Sequence, residues 1–95
     1  MSIGKTIDPL KASKIGFSFL LMREERKLIK TYYDKEGHET YNVSIITDKA
    51  NRISAIATYK IVQTGAQGAT ARRIEQGPPL VALEIRKDLQ YITEG

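Results

Sequence analysis

The sequence predicts an α+β, β-rich fold, a four-stranded antiparallel meander followed by a C-terminal helix. Three observations lead there. Two four-residue segments, Asp34-Lys35-Glu36-Gly37 and Asp48-Lys49-Ala50-Asn51, lie fourteen residues apart and share one design. Each opens with an Asp whose carboxylate can bond the backbone two residues on, and closes with Gly or Asn, which tolerate a left-handed conformation. That is the pattern of a hairpin loop built on a type I turn. The segments around these turns alternate apolar with polar residues, as half-buried strands do. Beyond Pro78-Pro79 the alternation gives way to apolar residues at helical spacing.

The strands are expected at about residues 14–22, 27–33, 39–47 and 52–63. In the first, Ile15, Phe17, Phe19 and Leu21 alternate with Gly16 and Ser18. Residues 28–33 can pair across the first turn. Tyr41, Val43 and Ile45 alternate with Asn42 and Ser44, and Ile53, Ala55, Ala57, Tyr59 and Ile61 with Ser54, Thr58 and Lys60. A helical stripe through Phe17, Leu20, Leu21, Leu28 and Tyr32 competes over residues 17–33, but Glu24 and Glu25 interrupt it. Two strands joined at the charged segment Arg23–Lys27 are the preferred reading.

Residues 64–78 are small, polar and nearly unpatterned, and are expected to form a flexible Gly/Ala-rich loop. Proline suits the first turn of a helix. Val81, Ile85, Leu89 and Ile92 then recur on one helical face, so the C-terminal segment is read as a helix. It also alternates as a strand, and an all-β small barrel with this segment as a fifth strand is the alternative. Residues 1–13 are expected to be an N-terminal arm, and the whole chain of 95 residues one domain.

Composition narrows the function classes. Hydrophobic residues make up 41% of the chain and charged residues 27%, which is globular rather than disordered composition. No apolar run approaches the ~20 residues of a membrane-spanning helix, so no membrane partner is expected. Met1-Ser2-Ile3-Gly4-Lys5 lacks the apolar centre of a secretory signal, and there is no cysteine. An intracellular or virion-associated protein, cytoplasmic by preference, is the expectation. Asn42-Val43-Ser44 matches a glycosylation sequon but reads as ordinary strand.

Catalysis has little to draw on. With one histidine, His38, and no thiol there is no zinc cluster of the usual kind and no second imidazole. Glu24, Glu25, Glu36 and Glu39 stand among Lys and Arg in expected turns, as solvated charges do. A non-enzymatic protein without metal or small-molecule cofactor is expected. Gly65-Ala66-Gln67-Gly68 has the form of a nucleotide-clamping GxxG loop, but it follows a strand and its middle residues carry no positive charge. Gly4-Lys5-Thr6 lacks the upstream glycine and strand of a phosphate loop.

Binding is better supplied. Fifteen basic against eleven acidic residues leave a formal charge of +4. Lys49, Arg52, Lys60, Arg72 and Arg73 fall between Asp48 and Glu75 with no acid among them, and such a stretch attracts phosphate. They equally fit the polar positions of a solvated hairpin. Tyr32 and Tyr33 point to opposite faces of a strand, so one can stack a base while the other packs in the core. Tyr32 is taken as the candidate. If Ile15, Phe17, Tyr41, Val43, Ile53 and Ile61 form the core, the opposite face carries Leu20, Met22, Ile46, Ile56 and Val62, too apolar to be left to water. Two functions follow as expectations. One is a small nucleic-acid-binding module using Lys49, Arg52, Lys60, Arg72, Arg73 and Tyr32. The other is a protein-interaction or homo-oligomeric assembly module using Leu20, Met22, Ile46, Ile56 and Val62.

Overall fold

The computed structural model describes residues 5–34, 39–63, 69–74 and 79–93. They form helix α1 (Pro9–Lys14), strands β1 (Ser18–Leu21), β2 (Arg26–Tyr33), β3 (Thr40–Thr47), β4 (Ile53–Gln63) and β5 (Ala69–Ile74), and helix α2 (Pro79–Ile92). The strands make one antiparallel sheet in chain order, with β1 and β5 as its edges. The expected meander and C-terminal helix are both present.

Local chemistry accounts for the element ends. The carboxylate of Asp8 caps α1 by accepting from the amides of Leu10 and Lys11 at 3.0 and 3.3 Å. At the β3–β4 turn, Asp48 Oδ1 accepts from the amides of Ala50 and Arg52, each at 2.9 Å. Asn51 closes that turn at φ 63°, the left-handed residue its sequence announces. The earlier turn's Lys35, Glu36 and Gly37 lie outside the described residues, as do His38 and the Gly65–Gly68 segment; the strands on either side of that turn pair from Tyr33 opposite Thr40.

Both helices and the N-terminal segment lie on one side of the sheet. Ile7 pairs with Thr93 and Thr6 with Arg52, and the Ile7 amide donates to the Asn51 carbonyl at 2.8 Å. The core on this side comprises Ile7, Ala12, Phe17, Leu28, Tyr32, Tyr41, Val43, Ile45, Ile53, Val81 and Ile92, with Ile56, Ile74, Ile85 and Leu89 packed against it. Val81, Ile85, Leu89 and Ile92 are thus the face that α2 turns inward, as their spacing predicts.

Three expectations are corrected. Residues 69–74, assigned to a flexible loop, pair with β4 from Thr58 opposite Ile74 to Gln63 opposite Ala69. The N-terminal arm contains α1. The third correction comes from a register shift between Ile46 and Thr47, where Ile46 opposes Ala55 and Thr47 opposes Ile53. Ser54 is the extra residue, and its hydroxyl donates to the Ile46 carbonyl at 3.2 Å. One inserted residue reverses the parity of the strand that follows. Ile56 and Val62 therefore share the helix side with Ile53, while Ile61, expected in the core with Ile53, sits on the opposite face.

Candidate nucleic-acid interface on the open sheet face

Residues directly opposed in neighbouring strands share a face, so the register fixes what each side of the sheet displays. The side without helices carries four cross-strand rows: Leu20, Lys27, Ile46 and Ala55; Ser18, Ile29, Ser44 and Ala57; Thr31, Asn42, Tyr59 and Arg73; and Tyr33, Thr40, Ile61 and Ala71. The Thr31 hydroxyl donates to Asn42 Oδ1 at 2.9 Å, so these two side chains meet on this face.

The electrostatics of the two sides differ. No Asp or Glu occurs in any of the five strands, while Arg26, Lys27, Lys30, Lys60, Arg72 and Arg73 do. On the helix side, Lys30 donates to Asp88 of α2 at 2.5 Å. Lys60 pairs with Glu39 at 2.7 Å, and Arg26 donates to Asn51 Oδ1 at 3.1 Å. Only Arg72, on the edge strand opposite Lys60, lacks a side-chain partner among the described residues of that side's strand cations. On the open side, Lys27 and Arg73 both lack one among the described residues, and no strand carboxylate shares their face. The two stand on the order of 20 Å apart, from strand and residue spacings.

Aromatic groups divide in the same way. Tyr32, the expected stacking residue, is only 2% exposed and donates to Asp88 Oδ2 at 2.7 Å. Its position is corrected to the core, where α2 covers it. Burial first, and then this hydrogen bond, push its phenol above the ordinary tyrosine range. Tyr41 is also buried on the helix side; burial and its hydrogen bond to Glu39 push it up to about 12. The adjacent Tyr33 is 59% exposed on the open face. Tyr59 is half-buried beside Arg73, on the order of 12 Å from Tyr33 by the same spacings.

The sequence-predicted cations are not brought together as one site. Lys49 lies exposed in the β3–β4 turn, and Arg52 beside it faces Asp48 at 3.7 Å. Lys60 is eight residues further along β4 and engaged by Glu39. Arg72 and Arg73 are exposed but point to opposite faces, as neighbours in a strand must. Of the predicted binding set, Arg73 alone lies on the open face. The predicted apolar set divides as well. Leu20 and Ile46 are on the open face, Met22 is in the β1–β2 turn, and Ile56 and Val62 lie on the helix side.

Lys27, Tyr33 and Tyr59 are the functional candidates that sequence reasoning missed. The alternation of Lys27 with Leu28, and of Tyr33 with Tyr32, was the available signal for two of them. For Tyr59 there was none, because the bulge at Ser54 sets its side. What the face offers is cations, ring faces and an amide–hydroxyl pair. Comparison with protein-family models, curated proteins and solved structures finds no match to this chain.

Proposed function

We propose that the protein is a non-enzymatic binding module whose open sheet face holds single-stranded nucleic acid. The carrying observation is the charge contrast between the faces. Lys27 and Arg73 stand without partners among the described residues, on strands free of carboxylates, while of the four strand cations on the other side two meet carboxylates and a third an amide oxygen. Unpaired cations on the face that also carries the exposed Tyr33 and the half-buried Tyr59 serve a strand whose phosphates need neutralising and whose bases need a stacking surface. Tyr33 is the stacking residue, Tyr59 extends its platform, and Asn42 and Thr31 supply polar contacts between them. Duplex bases are already stacked and cannot use the rings, so single strands are preferred. An intracellular, cytoplasmic role goes with this reading. Among the described residues no helix is long and apolar enough to cross a membrane.

Fluorescence anisotropy with labelled single- and double-stranded oligonucleotides tests it. Affinity for single strands should exceed that for duplex and fall with salt. Lys27→Ala combined with Arg73→Ala should flatten the logarithmic salt slope by roughly 0.7 for each phosphate left unneutralised. Tyr33→Ala should weaken binding by about 1–3 kcal/mol without changing that slope. Absence of binding at low salt would reject the proposal.

A second reading rests on the same face. Leu20, Ile29, Ile46 and Ile61 are apolar and lie uncovered by any described element, which fits a surface buried by a second protein chain. Ile46→Lys would abolish such an association and leave the fold intact.

A further inference from the structure

The two edges of the sheet are protected very differently. An edge strand presents unpaired backbone N–H and C=O groups, and soluble proteins blunt it with charge, proline or a bulge. β5 has the charges, Arg72 and Arg73. β1 reads Ser-Phe-Leu-Leu and has no charge, proline or bulge; its shortness, four residues, is the one blunting feature it has. Phe19 is 39% exposed, Leu20 51%, Leu21 82% and Met22 47%, an unbroken run of four large apolar residues along one edge. Apart from Tyr33, the apolar residues of the interior strands on the open face are at most half-exposed or are alanines, so the large exposed aliphatic side chains of the sheet gather at β1.

We propose that β1 pairs antiparallel with β1 of a second copy of this chain. A two-fold axis perpendicular to the sheet makes such a contact self-complementary, since the same strand supplies both halves. Opposed residues then have the same parity. Phe19 and Leu21 meet their counterparts on the helix side and Leu20 on the open side, giving an apolar ladder on both surfaces.

The strand ends carry groups of opposite charge. Before β1 comes the exposed Lys14 at the end of α1; after it comes the exposed tip Arg23-Glu24-Glu25, which offers two carboxylates with Arg26 and Lys49 alongside. Antiparallel pairing brings the start of each strand, with its lysine, toward the other chain's Glu24 and Glu25, twice by symmetry. A parallel or unrelated strand would not gain both contacts. The dimer joins two five-stranded sheets into one and places the helices of both copies on the same side. The open faces become continuous, although the pairing does not require that they bind nucleic acid.

Sedimentation of the full chain without nucleic acid, from low to high micromolar concentration, provides the test. The wild type should approach twice the 10.7 kDa chain mass. Leu21→Lys, at the most exposed position, should remain monomeric with an unchanged circular dichroism spectrum. Because the chain has no cysteine, Phe19→Cys and Leu20→Cys, made separately, report the axis. Under mild oxidation, whichever is nearer the axis should give a covalent dimer in high yield, since opposed strand residues approach within disulfide range. A monomeric wild type would overturn the pairing, as would failure of both cysteine variants to cross-link. A dimer that survives Leu21→Lys but dissociates with Ile46→Lys would also overturn it, moving the contact to the open face.

Discussion

The same three central strands build two surfaces of opposite character. On the helix side, Leu28, Val43 and Ile45 are sealed beneath α2, and the charges among them have partners: Lys30 meets Asp88, and Lys60 meets Glu39. One residue along each strand, the open side shows Lys27, Thr31, Asn42 and Tyr59, joined by Arg73 of the edge strand β5, with no acid beside them in the sheet. The difference separates the two tasks of a small domain. Stability resides where polar groups are matched on burial, because an unmatched buried charge costs several kcal/mol. Charges that remain unmatched in water, as at Lys27 and Arg73, cost the fold little and stay available to a ligand.

Adjacent residues in β3 give the largest expected contrast. Ile45 is fully buried, and Ile45→Ala should cost about 2–5 kcal/mol through reduced burial and the cavity left behind. Ile46, on the open face and only half-buried, should cost well under half of that when changed to Ala. Chemical denaturation of the two variants would compare them. Equal losses would mean that the open face is covered as thoroughly as the core.

Charge matching gives the next effect. Asp88→Ala removes the acceptor of both Lys30 and Tyr32 and should destabilise by about 1–3 kcal/mol, the upper part moderated by the solvent that still reaches the ion pair. Arg73→Ala should change stability by no more than ~0.5 kcal/mol while weakening nucleic-acid binding. A stability loss for Arg73→Ala as large as that for Asp88→Ala would erase the distinction between the faces.

Smaller still is a gain. The Thr47 hydroxyl is buried on the helix side without a hydrogen-bond partner among the described residues. Thr47→Val keeps the shape and removes the unsatisfied group, so stability should rise by about 1 kcal/mol, seen as an increase of a few degrees in Tm.

At neutral pH the tyrosines add no pH dependence, but alkali exposes the comparison. Tyr41 ionises at about 12 in the folded chain against about 10 when unfolded, and Tyr32 is raised in the same direction. A phenol raised on folding contributes stability that is intact below pH ~10 and is lost as pH climbs toward the folded value. Unfolding midpoints should therefore fall between pH ~10 and ~12, and Tyr41→Phe should make the fall shallower.

How much of this was legible in the sequence depended on the range of the interaction. The β3–β4 turn was readable because Asp48 and Asn51 determine it within four residues. The inward face of α2 was readable because Val81, Ile85, Leu89 and Ile92 carry their own period. β5 was not, since Ala69–Ile74 is small and basic, and what makes it a strand is the free edge of β4, supplied by residues distant in sequence. The side taken by Tyr32 follows from its parity with Leu28, but the partner that meets its hydroxyl there, Asp88, lies fifty-six residues away. The parity of Ile56, Tyr59 and Val62 turned on one inserted residue, Ser54, that no alternation pattern marks. Faces are collective properties, and an error of one position exchanges them.

The isoleucine methyl groups mark both faces within one NMR spectrum and give the most direct test. On titration with a single-stranded oligonucleotide, the methyls of Ile29, Ile46 and Ile61 should shift with increasing ligand, while those of Ile45, Ile56 and Ile85 should hold still. Shifts confined to the second group, or no shifts at a concentration where anisotropy reports saturation, would contradict binding on the open face.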